Sequence, residues 1–209
     1  MKFEKDKVLR YVQLFDYDDL KRNEFIISGQ VSYAGREKIR TDLILYVNGV
    51  PLVDIECKDP TAPGVSWYQA FKQIKDYEQA VPELYKYIQI GVAAETKARY
   101  FPIIPWQKPE DVPTHEWREE DKDSLDAIVE MLVPNRLLDL LKHFFFYRIE
   151  RGEATKVIAR YMQYRAANRI VDRVLGHLSG EEDKTKGLIW HWQGSGKTLT
   201  MIFAAHKLY

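Results

Sequence analysis

The sequence predicts an α/β fold in which a strand-rich N-terminal half, interrupted by one helix, gives way to helices and a final strand–loop–helix. Three observations carry this. Runs rich in β-branched and aromatic residues alternate with turn chemistry as far as Lys58. Apolar residues then recur at helical spacing, at Tyr68, Phe71, Ile74 and Tyr77. Near the C-terminus a short apolar run, Gly187-Leu-Ile-Trp-His191, meets a glycine-containing loop and an apolar helix.

Taken in order, Leu9 to Phe15, Glu24 to Tyr33, Thr41 to Val47 and Pro51 to Lys58 read as strands, with Ala34-Gly35 as one of the turns between them. A loop from Pro60 to Gly64 leads into a helix over Trp67 to Glu78, and Tyr87 to Ala94 and Lys97 to Ile103 read as further strands. The proline-rich, charged segment from Pro102 to Asp123 reads as a connector. Helices are expected over Ser124 to Leu132, Pro134 to Phe145 and Ala154 to Leu178, with Asp123 or Ser124 capping the first and Pro134 near the start of the second. Gly187 to His191 is then a short buried strand, Trp192 to Gly196 a loop, and Lys197 onward a helix. The expected division is one domain over residues 1–105, a connector over 106–123, and a helical link with the start of a second domain over 124–209. Both ends of the chain read as cut, which fits part of a larger protein.

The hairpin from Thr41 to Lys58 carries Asp42, Asp54, Glu56 and Lys58, where ordinary core strands carry no charge. Side chains alternate along a strand, so Leu52, Asp54, Glu56 and Lys58 share one expected face and Val53, Ile55 and Cys57 the other. Two acids and an ammonium at a strand end suit a hard divalent cation and a polarised water, the requirements of phosphodiester hydrolysis. Register tests the idea. A flat two-residue turn at Asn48-Gly49 would pair Asp42 with Ile55 and aim it away from Glu56. A shared site therefore needs one extra residue, most simply a three-residue loop with Gly49 as a bulge.

Composition narrows the partners. Charged residues make up 30% of the chain and the formal net charge is zero, so nucleic-acid binding must come from local basic patches. The single cysteine, Cys57, excludes an internal disulfide framework and a cysteine-rich zinc site, and suits a reducing cytoplasm. No apolar run reaches membrane-spanning length.

The second chemical motif is Gln193-Gly-Ser-Gly-Lys-Thr198, at the expected strand-to-helix junction. Backbone N–H groups of such a loop cradle phosphate, Lys197 reaches the β and γ phosphates, and Thr198 offers its hydroxyl to magnesium. His191 stands where the full pattern starts with glycine. Nucleotide turnover also needs a magnesium-holding acid on another strand and a water-positioning group, so ATP hydrolysis is not expected of these residues alone.

Hydrolytic acids followed by a phosphate loop resemble the motor (R, or HsdR-type) subunit of type I restriction-modification enzymes. The resemblance rests on Asn23-Glu-Phe, Arg40-Thr-Asp42 through Asp54-Ile-Glu56-Cys-Lys58, Gln73-Ile-Lys-Asp-Tyr77, Tyr161-Met-Gln163-Tyr and Leu188 through Met201, and covers nearly the whole chain. It implies a PD-(D/E)xK endonuclease domain with a restriction-endonuclease-like mixed sheet and flanking helices, fused to a superfamily 2 helicase-like translocase that begins with a RecA-like domain. It also implies double-stranded DNA as substrate, Mg2+ for the nuclease, ATP with Mg2+ for the motor, and methyltransferase and specificity subunits as partners. By this resemblance Asp42 and Glu56 match the metal-binding acids, with the carbonyl of Cys57 as a further ligand. Lys58 matches the catalytic lysine, Gln73 and Tyr77 match the family's Gln-x-x-x-Tyr motif, and Gln163 looks like an adenine-reading glutamine, with Tyr161 or Arg160 as a stacking partner. Gln193, Gly194, Ser195, Gly196, Lys197 and Thr198 would hold nucleotide. Thr41 stands where the family usually has proline.

Plainer readings accompany these. Asp54 is expected as a rim carboxylate paired with a basic neighbour. The five histidines lack metal-ligand spacing, and the Phe144-Phe-Phe146 run suits a core or an interdomain interface. Arg160, Arg165, Arg169 and Arg173 suit a solvated helix face as well as a phosphate-binding one. The rival from another class is a P-loop nucleotide-binding protein whose N-terminal domain only binds DNA or a partner subunit.

Overall fold

The computed structural model describes residues 2–5, 8–150 and 152–209, with side chains over 12–149 and 152–209. Strands β1 (Lys2–Lys5) and β2 (Val8–Tyr11) form a separate antiparallel hairpin, so the first expected strand ends at Tyr11 and not at Phe15. The expected strand from Glu24 to Tyr33 divides into β3 (Phe25–Gly29) and β4 (Ser32–Ala34), because Gln30 adopts φ 57° and turns the chain. β4 pairs with β5 (Lys38–Arg40).

β6 (Leu43–Val47), β7 (Val50–Cys57), α1 (Trp67–Ala80), the short α2 (Pro82–Tyr85), β8 (Ile90–Ala94) and β9 (Ala98–Pro102) follow. They complete a five-stranded mixed sheet ordered β3-β6-β7-β8-β9, parallel between β7 and β8 and antiparallel elsewhere. The parallel step requires a crossover, and α1 supplies it. Ser66 starts α1 with a capping box that uses Gln69, and Ala70, Phe71 and Ile74 bury one stripe against Ile44, Ala93 and Phe101 of the sheet.

The opposite sheet face packs Leu45, Val47, Val53, Val92 and Tyr100 against later elements. These are α3 (Ser124–Met131), α4 (Pro134–His143), α5 (Tyr161–Ser179) and α6 (Lys197–Leu208). One core cluster therefore runs from the sheet to Phe203 and Ala204 of α6, and Trp117 from the connector is buried in it.

Two later elements also differ from expectation. Ala154 to Ile158 is strand, not helix: β10 (Phe145–Glu150) and β11 (Glu153–Ile158) form a hairpin before α5 begins at Tyr161. Alternating β-branched and aromatic residues there outweigh the apolar helical spacing that continues after them, and Gly152, at φ 85°, lies between the strands. Gly187 to His191 forms no strand; Leu188 and Trp190 are 87% and 88% exposed. A strand needs a lateral partner for its backbone groups, and none of the described strands lies beside this segment. No described helix is long and apolar enough to cross a membrane.

The turn between β6 and β7 has two residues, with Asn48 at φ 51° and Gly49 at φ 78°. Replacing Gly49 by valine puts a β-branched side chain into left-handed backbone and is expected to cost about 1–2 kcal/mol. Thermal denaturation followed by circular dichroism should show a midpoint lower by a few degrees, and an unchanged midpoint contradicts this turn.

Candidate active site

The extra residue that the hairpin requires lies in β7. Val47 pairs with Val50 and Tyr46 with Pro51, but Leu45 pairs with Val53, so Leu52 is the bulged residue. The three-residue loop is thereby corrected: the turn stays tight and the register shifts two residues later. The shift also moves Leu52, which joins Val53 in the core beneath the far face instead of sharing a face with Asp54. Beyond the bulge Leu43 pairs with Ile55, which brings Asp42 opposite Glu56.

Reciprocal hydrogen bonds then lock the two acids together. The Asp42 backbone N–H donates to Glu56 Oε1 at 2.9 Å, and the Cys57 N–H donates to Asp42 Oδ2 at 2.9 Å. Thr41, fully buried, donates its N–H to the Val31 carbonyl at 3.0 Å, a bond that proline at this position could not make. Glu56 is fully buried and its Oε2 has no partner. Burial, reinforced by Asp54 and Asp42, pushes its carboxyl up to about 8.

Lys58 continues the group. Its Nζ donates to Gln73 Oε1, Gln73 Nε2 donates to Tyr77 Oη at 2.5 Å, and Tyr77 Oη donates to the Arg40 carbonyl at 2.9 Å. Gln73 and Tyr77 lie one turn apart on α1, so the helix that covers the sheet also fixes the lysine. Asp42, Glu56, Lys58, Gln73 and Tyr77 are thus brought to one end of the β6–β7 pair.

Asp54 corrects the expectation of a rim carboxylate. It is fully buried, its neighbour is the Tyr85 hydroxyl, which donates to Oδ2, and Oδ1 is without a partner. Burial pushes it up to about 7 despite the tyrosine. Strand alternation could have revealed this, since Asp54 shares the face of Glu56; nothing in the sequence marked Tyr85 as its partner. Behind it, Lys75 and Glu78 form a buried pair on α1, with Lys75 also donating to the Ile104 carbonyl at 2.9 Å.

Hard oxygen donors with unpartnered lone pairs in a buried acid cluster suit a divalent cation. Among the described residues no set of three or more His, Cys, Asp and Glu side chains forms a metal cage, so Asp42 and Glu56 would need the Cys57 carbonyl and water to complete one.

At the other motif, α6 begins at Lys197, with Gly194 and Gly196 left-handed at φ 77° and 80°. Lys197 and Thr198 are exposed at the first turn, and Lys197 Nζ rests on the Trp192 carbonyl at 3.2 Å. Gln163 is buried: its Oε1 accepts the Arg160 N–H at 2.9 Å and its Nε2 donates to the Ser195 carbonyl at 3.1 Å. Gly196 holds φ 80°, which an L side chain rarely adopts, and a Cβ there would also lie 2.3 Å from that Nε2 and displace it. Gln193 is exposed beside it and Ser195 buried. Along α5, Arg165 is tied to Glu119 and the Arg118 carbonyl, and Arg173 to the Lys186 carbonyl, while Arg160 and Arg169 are exposed.

Residues 1–110 match the family model described as type I restriction enzyme R protein N terminus. The chain belongs to this R-protein family. Residues 162–209 match the SWI2/SNF2 ATPase model. The type I restriction enzyme HindI endonuclease subunit of Haemophilus influenzae is 33% identical over 97% of this chain and 20% of its own length. A Methanocaldococcus jannaschii protein provisionally named a type I restriction enzyme endonuclease subunit is 34% identical over 98% of this chain and 20% of its own length. The chain thus spans about one-fifth of the length of these curated relatives. The mixed α/β architecture, with its five-stranded sheet, agrees with a restriction-endonuclease-like domain in an R protein.

Asp54 and Glu56 hold protons more tightly in the folded chain, at about 7 and 8, than at their ordinary 3.8 and 4.5. Their contribution to stability is therefore complete below the ordinary values and lost as pH rises through the folded ones. Without metal, the thermal midpoint of Asp54→Asn should gain on the wild type as pH rises from 4 to 8. A constant difference across that interval contradicts the raised value.

Proposed function

We propose that this chain carries the nuclease centre of a type I restriction R subunit and hydrolyses phosphodiester bonds of double-stranded DNA with Mg2+. The observation that carries the reading is the β7 bulge, which sets Asp42 opposite Glu56 with Lys58 beside them. Asp42, Glu56 and the Cys57 carbonyl would hold the cation, which when bound supplies Lewis-acid polarisation and a more acidic water. The unpartnered Oε2 of Glu56 supports that assignment.

Lys58 directs its ammonium into the site, where it orients the attacking water and opposes charge building on the pentavalent phosphorus. Gln73 keeps that ammonium aimed by accepting from it, and Tyr77 holds Gln73 while anchored to the Arg40 carbonyl. These two act by positioning. Residues 193–198 would bind ATP phosphates with Mg2+ at the start of a RecA-like translocase domain, with Gln163 joining base recognition to the loop it braces. In that setting the methyltransferase and specificity subunits supply the DNA address, and the cytoplasm is the compartment.

In the complex reassembled with those subunits, Lys58→Ala and Asp42→Ala should each lower DNA cleavage by about 100-fold or more while leaving the circular dichroism spectrum unchanged. Gln73→Ala should lower the rate less. Retained cleavage in either of the first two variants favours a domain that only binds DNA or a partner.

A further inference from the structure

The β4–β5 hairpin carries a charge pattern that the metal centre does not use. Ser32 pairs with Arg40 and Ala34 with Lys38, so these four side chains share one face while Tyr33 and Ile39 share the other. Tyr33 and Ile39 pack into the core beneath α1. Ser32, Ala34, Lys38 and Arg40 are all exposed.

Among the described residues, Lys38 and Arg40 have no carboxylate within ion-pair distance, as is true of other exposed cations such as Lys97 and Lys108; what sets these two apart is that they share one face of a strand leading to the acids. At the tip, Arg36 and Glu37 offset each other in charge. In a chain of zero net charge, an unpaired cationic face is a local feature and not the overflow of a basic protein. Its position matters as much as its sign. β5 runs directly into Asp42, and the Arg40 carbonyl accepts the Tyr77 hydroxyl that steadies Gln73 and Lys58. Backbone pairing with β4 and the packing of Tyr33 and Ile39 beneath α1 fix the hairpin in place.

We propose that this hairpin is a phosphate clamp for duplex DNA, in which Lys38 and Arg40 neutralise backbone phosphates beside the one being hydrolysed. Two residues along a strand separate these side chains by about 6.8 Å, the scale of neighbouring phosphates on one DNA strand. Such contacts read no sequence; they set register and orientation. The proposal rests on the nuclease reading and adds to it how the substrate is held.

Binding of a short fluorescein-labelled duplex to the chain, followed by anisotropy in EDTA across about 50–200 mM salt, separates the two. Lys38→Ala/Arg40→Ala should weaken binding about 10-fold at the low-salt end and lower the slope of log affinity against log salt by about 2. Lys86→Ala/Lys108→Ala, which likewise removes two positive charges but away from this face, should leave more of the affinity. Binding that keeps its affinity and slope in Lys38→Ala/Arg40→Ala overturns the clamp and leaves the nuclease reading intact, and so does an equal loss in both double variants. No salt-dependent binding by the wild-type chain overturns the clamp and removes DNA from the reading of the site as well.

Discussion

The acid cluster of this chain depends on the register of one antiparallel strand pair. A single bulged residue, Leu52, turns a hairpin that would send Asp42 and Glu56 to opposite faces into one that sets them opposite each other. Each acid then accepts a backbone N–H from the opposite strand, so main-chain donors specific to this pair of acids align the two carboxylates. The tight turn at Asn48-Gly49 fixes where the count begins, and its side chain is tied to Asn23, Glu24 and the Leu14 carbonyl. A slip of one residue would exchange the apolar and acid-bearing faces of β7.

The surrounding fold tolerates the acids by covering them. α1 crosses over the sheet because β7 and β8 are parallel, and its buried stripe combines apolar residues with Lys75 and Glu78. Asp54 and Glu56 lie fully inside with oxygens unpartnered, and raised proton affinity is how they avoid burying several charges at once. A cation would reverse that balance by favouring the charged carboxylates. Lys58 is positioned by groups outside its own strand: Gln73 and Tyr77 on α1, and through them the β5 backbone. Stability and chemistry therefore share the same contacts.

Much of this was legible in the sequence. Alternation and turn chemistry locate β6 and β7, helical spacing locates α1 to within two residues, and the need for a bulge follows from asking two acids to share a face. The bulge lies at Leu52 instead of Gly49 because a two-residue turn with positive φ at both positions already suits Asn-Gly. What could not be read involves partners distant in sequence. Tyr85 meets Asp54 across 31 positions, and Arg40 receives Tyr77 across 37. Gly187 to His191 has strand composition without a neighbouring strand, and composition alone does not supply one. The β10–β11 hairpin was hidden by apolar residues that also fit a helix.

The central claim is that the bulged register builds one metal site from Asp42 and Glu56. Crystals of the chain soaked in Mn2+ test it directly by anomalous scattering. The account predicts a peak between these carboxylates, within coordination distance of both and of the Cys57 carbonyl. An empty site with the two acids splayed apart, in crystals that take up Mn2+ elsewhere, would contradict it.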